Sequence, residues 1–401
     1  MLAPGASAFV PDPSSLDEVI ERFQDIITRH RLLPGAALAV YRDGRLVLDI
    51  VAGWADTQRA VPVAADSLFL LFSGTKPLVA VALLQQVDLG KVGLDDPVAR
   101  YWPDFARNGK ERVTIRHILT HTGGFPTTPP GLDPAHWRDL AAATSMVASM
   151  PLEWPAGSAT SYHFVTQHWV IAELVRRLDT AHRPIDRYVR EEITGPLGMS
   201  DTWIGMPRDQ EHRLARLHVT DGADPWGIEA LRGMQAAPMQ RWVVPGASGV
   251  SSARDMARFY AAIAAGGALD GVRILREETV DLLMQPFVDG MMDIWNEVPV
   301  RRGLGFELGG LDEPKRQWPG ATSTARTIWH GGFGSSVFWG DRAEPGESSG
   351  LAFAFLSNGV RRDMAVAIAR RDLSDAVRMA MRSLGGPGAT GAGEVSRQAP
   401  A

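Results

Sequence analysis

Apolar residues recur at helical spacing soon after the amino terminus. Val19, Ile20, Phe23, Ile26 and Ile27 form one stripe, Asp17 and Glu18 stand in the first turn, and Ser14 or Ser15 is placed to cap a helix starting at Leu16. The period then shortens. Two β-rich runs, 36–41 and 45–51, meet at Asp43-Gly44, a dipeptide whose tolerance of positive φ suits a tight hairpin. A short strand over 68–72 leads into a helix over 73–89, with Leu78, Val79, Ala82, Leu83 and Val87 on one side, Pro77 in the first turn and Gly90 as a stop.

Between about 91 and 300 the pattern predicts mostly short helices separated by Pro and Gly, among them 137–150, 167–178 and 253–265. β character returns over 303–308, 325–330, 335–339 and 351–358, and a last helix is predicted over 364–381. Strands at both ends of the chain with helices between imply one antiparallel sheet closed by the two ends, an α/β (α+β) architecture. The chain therefore reads as a single two-lobed domain over 1–385, with an α/β lobe at about 10–90 and 300–385 and a helical lobe at about 91–299. Residues 386–401, rich in Gly and Ala without apolar periodicity, are predicted to be a disordered tail. No internal repeat is visible.

Composition narrows the chemistry. Of 401 residues none is cysteine, which rules out a thiol nucleophile, a disulfide framework, a Cys-ligated zinc and an iron–sulfur cluster. The 41 Lys and Arg against 46 Asp and Glu give a net charge of −5 without a basic stripe, which argues against a nucleic-acid partner. The amino terminus lacks the basic segment and apolar run of a secretory signal, so a cytoplasmic location is expected. No run approaches eighteen apolar residues, so no membrane span is expected.

The most informative short string is Phe72-Ser73-Gly74-Thr75-Lys76, where a strand passes into a helix. Ser73 and Lys76, three apart, share a helix face. A serine hydroxyl needs a neighbouring base, and a partly desolvated lysine can serve; a helix amino terminus also aims N–H groups at a developing oxyanion. By itself the string reads as an N-cap serine with a solvated lysine. Its surroundings decide more: Pro34-Gly35-Ala36-Ala37-Leu38-Ala39-Val40, then Leu94-Asp95-Asp96-Pro97-Val98, then Val113-Thr114-Ile115-Arg116-His117-Ile118-Leu119-Thr120-His121-Thr122-Gly123-Gly124. In that order and spacing, over about 15–385, the chain resembles the serine β-lactamase and penicillin-binding-protein superfamily, within it the class C-like branch and its family VIII carboxylesterases.

The resemblance implies a β-lactamase-like fold, an antiparallel sheet flanked by helices beside a helical lobe, with the active site in the cleft between them. It implies Ser73 as acylated nucleophile with Lys76 as partner. The second motif, usually Tyr-x-Asn, falls on Tyr162-His163-Phe164 and makes Tyr162 the general base, its phenol lowered by the Lys76 ammonium. The third, usually Lys-Thr-Gly, falls on His330-Gly331-Gly332, followed by Phe333. The N–H groups of Ser73 and Phe333 would then form the oxyanion hole. His330 would either contact substrate and assist proton transfer or cap the strand end; His163, Phe164, Gly331 and Gly332 complete the expected substrate contacts.

Two departures bear on substrate. Phe164 stands where many relatives carry an amide-binding Asn, and His330 replaces a permanently charged Lys. Both weaken β-lactam or D-peptide hydrolysis, and the string Tyr162-His163 with Thr166 and Trp169 is similar to esterase-like relatives. The expected activity is hydrolysis of small or medium carboxylic esters, by a monomer or homodimer that needs no cofactor and no metal. Acyl transfer, β-lactam or D-peptide hydrolysis, and a noncatalytic scaffold are the alternatives.

Other candidates lead elsewhere. His117 and His121 are spaced as metal ligands but lack the Glu of His-Glu-x-x-His. The glycines of 303–309 read as a strand with close backbone approach rather than a nucleotide loop, since no βαβ unit follows. Gly246-Ala247-Ser248-Gly249-Val250 is not a nucleophile elbow, and Ser248 reads as a loop residue before a Ser252 helix cap. The long stretches 125–134 and 225–245 contain Trp226, Met234, Met239 and Trp242, which form either an apolar substrate site or a buried minicore.

Overall fold

Asp43 (φ 51°) and Gly44 (φ 73°) both adopt the left-handed conformation that a two-residue hairpin needs, and they join strands Gly35–Arg42 and Arg45–Asp56. In the computed structural model, which describes residues 8–9, 16–127, 137, 139–219, 239–310, 319–343, 350–361 and 364–383, this hairpin is the start of a ten-stranded antiparallel sheet. Across it the order runs Ala8–Phe9, Arg45–Asp56, Gly35–Arg42, Leu351–Ser357, Ser336–Asp341, Thr327–Gly332, Glu307–Leu308, Val298–Arg302 and Val288–Asp293, with Val61–Pro62 paired onto Arg45–Asp56. The carboxy-terminal strand Leu351–Ser357 lies directly beside the amino-terminal Gly35–Arg42. Both chain ends thus build one sheet.

The central strands are apolar on both faces, as a sheet covered on both sides requires. Ala36, Leu38, Val40, Val337, Trp339, Phe353 and Phe355 face a core shared with helices Asp17–Ile27 and Met364–Ser383. Ala37, Ala39, Phe338, Ala352 and Ala354 face the larger core. Helix Ala253–Ala264 packs there on the sheet, Tyr260 stacking on Phe338 at 6.0 Å. The pattern places this helix in the helical lobe; an amphipathic stripe fits either surface, and only the tertiary contact chooses. Ser252 caps it as expected, accepting the Asp255 N–H at 3.2 Å. Leu16, not Ser14 or Ser15, stands at the cap position of the first helix, without a side-chain cap bond; both serines and the tail 386–401 lie outside the described residues.

Further differences concern strands. The run 303–308 is mostly a turn, with strand only at Glu307–Leu308, because Gly305 (φ 79°) turns back onto the helix behind Lys76, where a Cβ would stand 2.3 Å from Ala80 Cβ. The preceding hairpin, Val288–Asp293 and Val298–Arg302, extends the sheet into a segment assigned to the helical lobe. A second sheet, Phe69–Phe72, Gly249–Ser251 and Trp203–Ile204, carries the strand that enters the nucleophile helix.

Candidate active site

The strand Phe69–Phe72 ends on a strained residue, Phe72 at φ 49°, and the chain turns through the 3₁₀ segment Ser73–Thr75 into helix Lys76–Asp88. Thr75 fixes the bend: its Oγ1 donates to Phe72 O at 2.6 Å and accepts the Gly249 N–H at 2.8 Å. Pro77 sits in the first turn, where its missing N–H is harmless. Ser73 is half-buried, and Lys76, 1% exposed, points its Nζ at Ser73 Oγ, 3.0 Å away. The same Nζ donates to Phe164 O at 2.9 Å and to Gly246 O at 2.8 Å. Those two carbonyls can only accept. A neutral amine spends both N–H bonds on them and turns its lone pair to the Ser73 hydroxyl.

Burial pushes Lys76 down to about 7. His121 and His168, also buried, are held well below the imidazole range, and His330 is pushed down to about 3, in each case by burial first, with the Lys76 charge adding to it. Lys76 therefore exchanges its proton near neutral pH while these imidazoles remain neutral.

Tyr162 reaches the same hydroxyl: its side chain hydrogen-bonds Ser73, and its ring centroid lies 5.1 Å from Lys76 Nζ. The expected lowering of its phenol by Lys76 does not occur. Desolvation pushes the phenol up, the Ser73 hydrogen bond only partly opposing it, so the proton is held on Tyr162 and the labile site is Lys76. His121 supports this arrangement, stacking on the Tyr162 ring at 4.8 Å and accepting the His163 backbone N–H on Nδ1 at 2.8 Å. His117 has a different task, its Nδ1 accepting the Thr114 N–H in a capping box.

Along 162–164 successive side chains alternate. Tyr162 and Phe164 are half-buried, but His163 is fully buried, its Nδ1 donating to Ser161 O at 2.7 Å and its ring edge-on to Phe125 at 4.6 Å. The structure thus moves His163 from the expected substrate contacts into the loop's interior. Phe164 instead holds Lys76 through its carbonyl and meets Phe333 edge-on at 6.4 Å.

The third motif ends strand Thr327–Gly332. A Cβ on Gly332 would lie 2.3 Å from Leu71 O, so glycine there lets this strand lie against the segment that carries Ser73, bringing the backbone of Gly332 and Phe333 beside the nucleophile. Phe333 packs on Phe72 at 5.8 Å. His330 Nδ1 donates to Gly331 O at 2.8 Å, leaving Nε2 as an acceptor.

The sequence pattern of the Beta-lactamase family matches residues 16–377. The chain belongs to this family. It is 31% identical over 359 residues to Esterase/beta-lactamase LipL of Mycobacterium tuberculosis (strain ATCC 25618 / H37Rv), covering 82% of this chain and 78% of that protein. A penicillin-binding protein homologue from Caulobacter crescentus superposes with TM-score 0.78 at 28% identity, covering 93% of this chain and all of that one. A family VIII carboxylesterase superposes with TM-score 0.79 at 24% identity, again over 93% of this chain and all of the other, and shares the fold. The beta-lactamase-family fold accounts for the convergence of three distant segments on one hydroxyl.

Beside the site of this beta-lactamase-family chain opens a cavity of about 380 Å³, walled by Tyr162, His330 and Gly331 on one side and by Val298, Val300 and Trp329 on another. Its floor holds a group that sequence reasoning missed. Arg302, 1% exposed, donates to Asp293 at 2.6 Å, Thr160 Oγ1 at 2.6 Å and Glu307 at 2.8 Å. Nothing in the local pattern flags it, since its partners are spread over 147 positions of chain, from Thr160 to Glu307. The carbonyl of Gly246 was equally invisible, because its residue type says nothing of a lysine contact. Ser248 is structural, accepting the Val244 N–H at 2.8 Å and donating to Trp242 O at 2.6 Å. Met239 is buried in the main core and Trp242, partly buried, packs against it; Trp226 and Met234 lie outside the described residues.

Proposed function

We propose that this chain is a serine carboxylesterase of the family VIII type, cleaving small or medium carboxylic esters through an acyl-Ser73 intermediate. The observation that carries the reading is the Lys76 ammonium site: one buried Nζ, two carbonyl acceptors and a serine hydroxyl, with a proton affinity brought to about 7. In this reading neutral Lys76 takes the Ser73 proton as Oγ attacks the ester carbonyl carbon. The backbone N–H groups of Ser73 and Phe333 receive the developing oxyanion. As the tetrahedral intermediate collapses, the proton passes from Lys76 through the Tyr162 hydroxyl to the departing alkoxide, and the acyl group stays on Ser73. Water then attacks the acyl carbon and gives a proton to the same pair; the acyl C–Oγ bond breaks, the pair returns that proton to Ser73 Oγ, and the carboxylic acid leaves.

Ester rather than β-lactam chemistry is supported by two side chains. His330, neutral through the working pH range, offers a lone pair and no fixed cation for a substrate carboxylate. Phe164 presents an apolar ring where an amide-binding group would be needed. Ser73→Ala is expected to abolish hydrolysis of p-nitrophenyl butyrate and labelling by a fluorophosphonate probe. Turnover that survives this change, or a label on another residue in intact-protein mass spectrometry, would sink the proposal.

A further inference from the structure

The hairpin Val288–Asp293/Val298–Arg302 exposes large apolar side chains beside the cavity: Met291 (36% exposed), Met292 (59%), Ile294 (52%) and Trp295 (45%), within five residues. Most solvent-facing apolar residues are scattered singly; a cluster this dense marks a contact surface. These side chains are held outward. Asp293, fully buried between them, accepts the N–H groups of Trp295 at 3.1 Å and Asn296 at 2.7 Å and takes the Arg302 guanidinium, while the Ile294 N–H donates to Thr160 O at 3.0 Å. With its polar middle anchored inward, the hairpin cannot turn its apolar side chains into the core.

We propose that this hairpin docks the enzyme on a neutral lipid–water interface, so that apolar esters held in micelles or droplets pass directly into the cavity beside Ser73. The inference rests on the esterase reading and adds to it the physical state of the substrate. Continuity supports it: the returning half of the same hairpin, Asn296, Val298, Pro299 and Val300, walls the cavity. A tryptophan beside aliphatic side chains is the composition that settles at an interface. The flanking charges, Asp289, Glu297 and Arg301, supply no cationic excess, which selects a neutral rather than an anionic surface. A second copy of the chain is the competing occupant. The bulge between Asp289 and Met291, with Gly290 at φ 72°, breaks the regular edge that strand-to-strand pairing needs, and Ile294 and Trp295 lie beyond the strand, in the turn.

The test uses the full chain and a Met292→Ser/Ile294→Ser/Trp295→Ser variant, whose changed positions are all exposed. Wild type is expected to float with phosphatidylcholine vesicles and the variant to remain in the aqueous fraction. The variant should keep kcat/KM on monomeric p-nitrophenyl acetate within twofold and lose tenfold or more on emulsified tributyrin. Equal activity of both proteins on the emulsion, or wild type that does not float, overturns the proposal. So does a wild-type dimer that the three changes turn into a monomer. Failure of the esterase reading shows separately, as absent Ser73 labelling in the soluble assay, which flotation does not read.

Discussion

Lys76 lies 1% exposed among carbonyl oxygens and imidazoles held neutral, so its charged form is disfavoured and its affinity for a proton falls to about 7. If the free amine is the base, kcat/KM for ester hydrolysis should rise with pH through about 7 and fall about tenfold per unit below it. Lys76→Met should remove that limb and lower kcat/KM by about 10³-fold or more, read from a pH–rate profile of both proteins. The same burial has a stability consequence of definite sign. The folded-state value lies below the ordinary 10.5, so between the two the unfolded chain binds more protons and stability rises with pH. Lys76→Met should therefore melt several degrees higher than wild type near pH 6.5, with the gap narrowing by pH 9.5. A gap independent of pH would show that the charge is not what burial opposes.

At the level of elements, the close approach of strand Thr327–Gly332 to the nucleophile segment depends on one missing side chain. A Cβ on Gly332 would meet Leu71 O and Ser336 Oγ, both at 2.3 Å, whereas on Gly331 the nearest atom is Ser336 O at 3.3 Å. Gly332→Ala is expected to destabilise by about 1–3 kcal/mol, as overpacking does, and to lower kcat tenfold or more by displacing the strand. Gly331→Ala should stay near wild type in urea unfolding. Equal effects of the two changes would remove the steric argument. This contact also shows where reading the chain stops. The Asp43-Gly44 hairpin and the helix after Ser73 follow from local rules, because turn dihedrals and a 3.6-residue period are properties of neighbours in sequence. Motif order brought Ser73, Lys76, Tyr162 and the His330 strand to one place. The hairpin 288–302 escaped because Gly290, Asp293 and Pro299 interrupt any alternation, and helix Ala253–Ala264 went to the wrong lobe because its amphipathic stripe does not name its partner. The inward turn of His163 depends on the phase of an extended segment, which composition leaves free.

Across the whole molecule, the sheet closed by the two chain ends meets the Tyr162 segment at Arg302. One guanidinium joins Thr160, two residues before Tyr162, to Asp293 in the apolar hairpin and Glu307 in the next strand. It also lies 5.9 Å from the Tyr162 ring centroid. A buried ion pair adds little stability over a well-packed apolar replacement, but removing one partner leaves the other charge uncompensated. Arg302→Met should therefore cost about 3–5 kcal/mol in urea unfolding, since it leaves the Asp293 carboxylate, 0% exposed, without its guanidinium partner. Glu307→Gln should cost less: burial already pushes the Glu307 carboxyl up, Arg302 only partly opposing it, and Arg302 retains Asp293 as a partner. If Arg302 also positions Tyr162, Arg302→Met measured below its unfolding transition should lose kcat with little change in KM, because the proton path to Ser73 is disturbed while the cavity wall remains. An Arg302→Met protein as stable as wild type, or one that loses only substrate affinity, would detach the buried cluster from the catalytic geometry and leave the Tyr162 segment to be positioned by its other contacts, His121 and Lys76 among them.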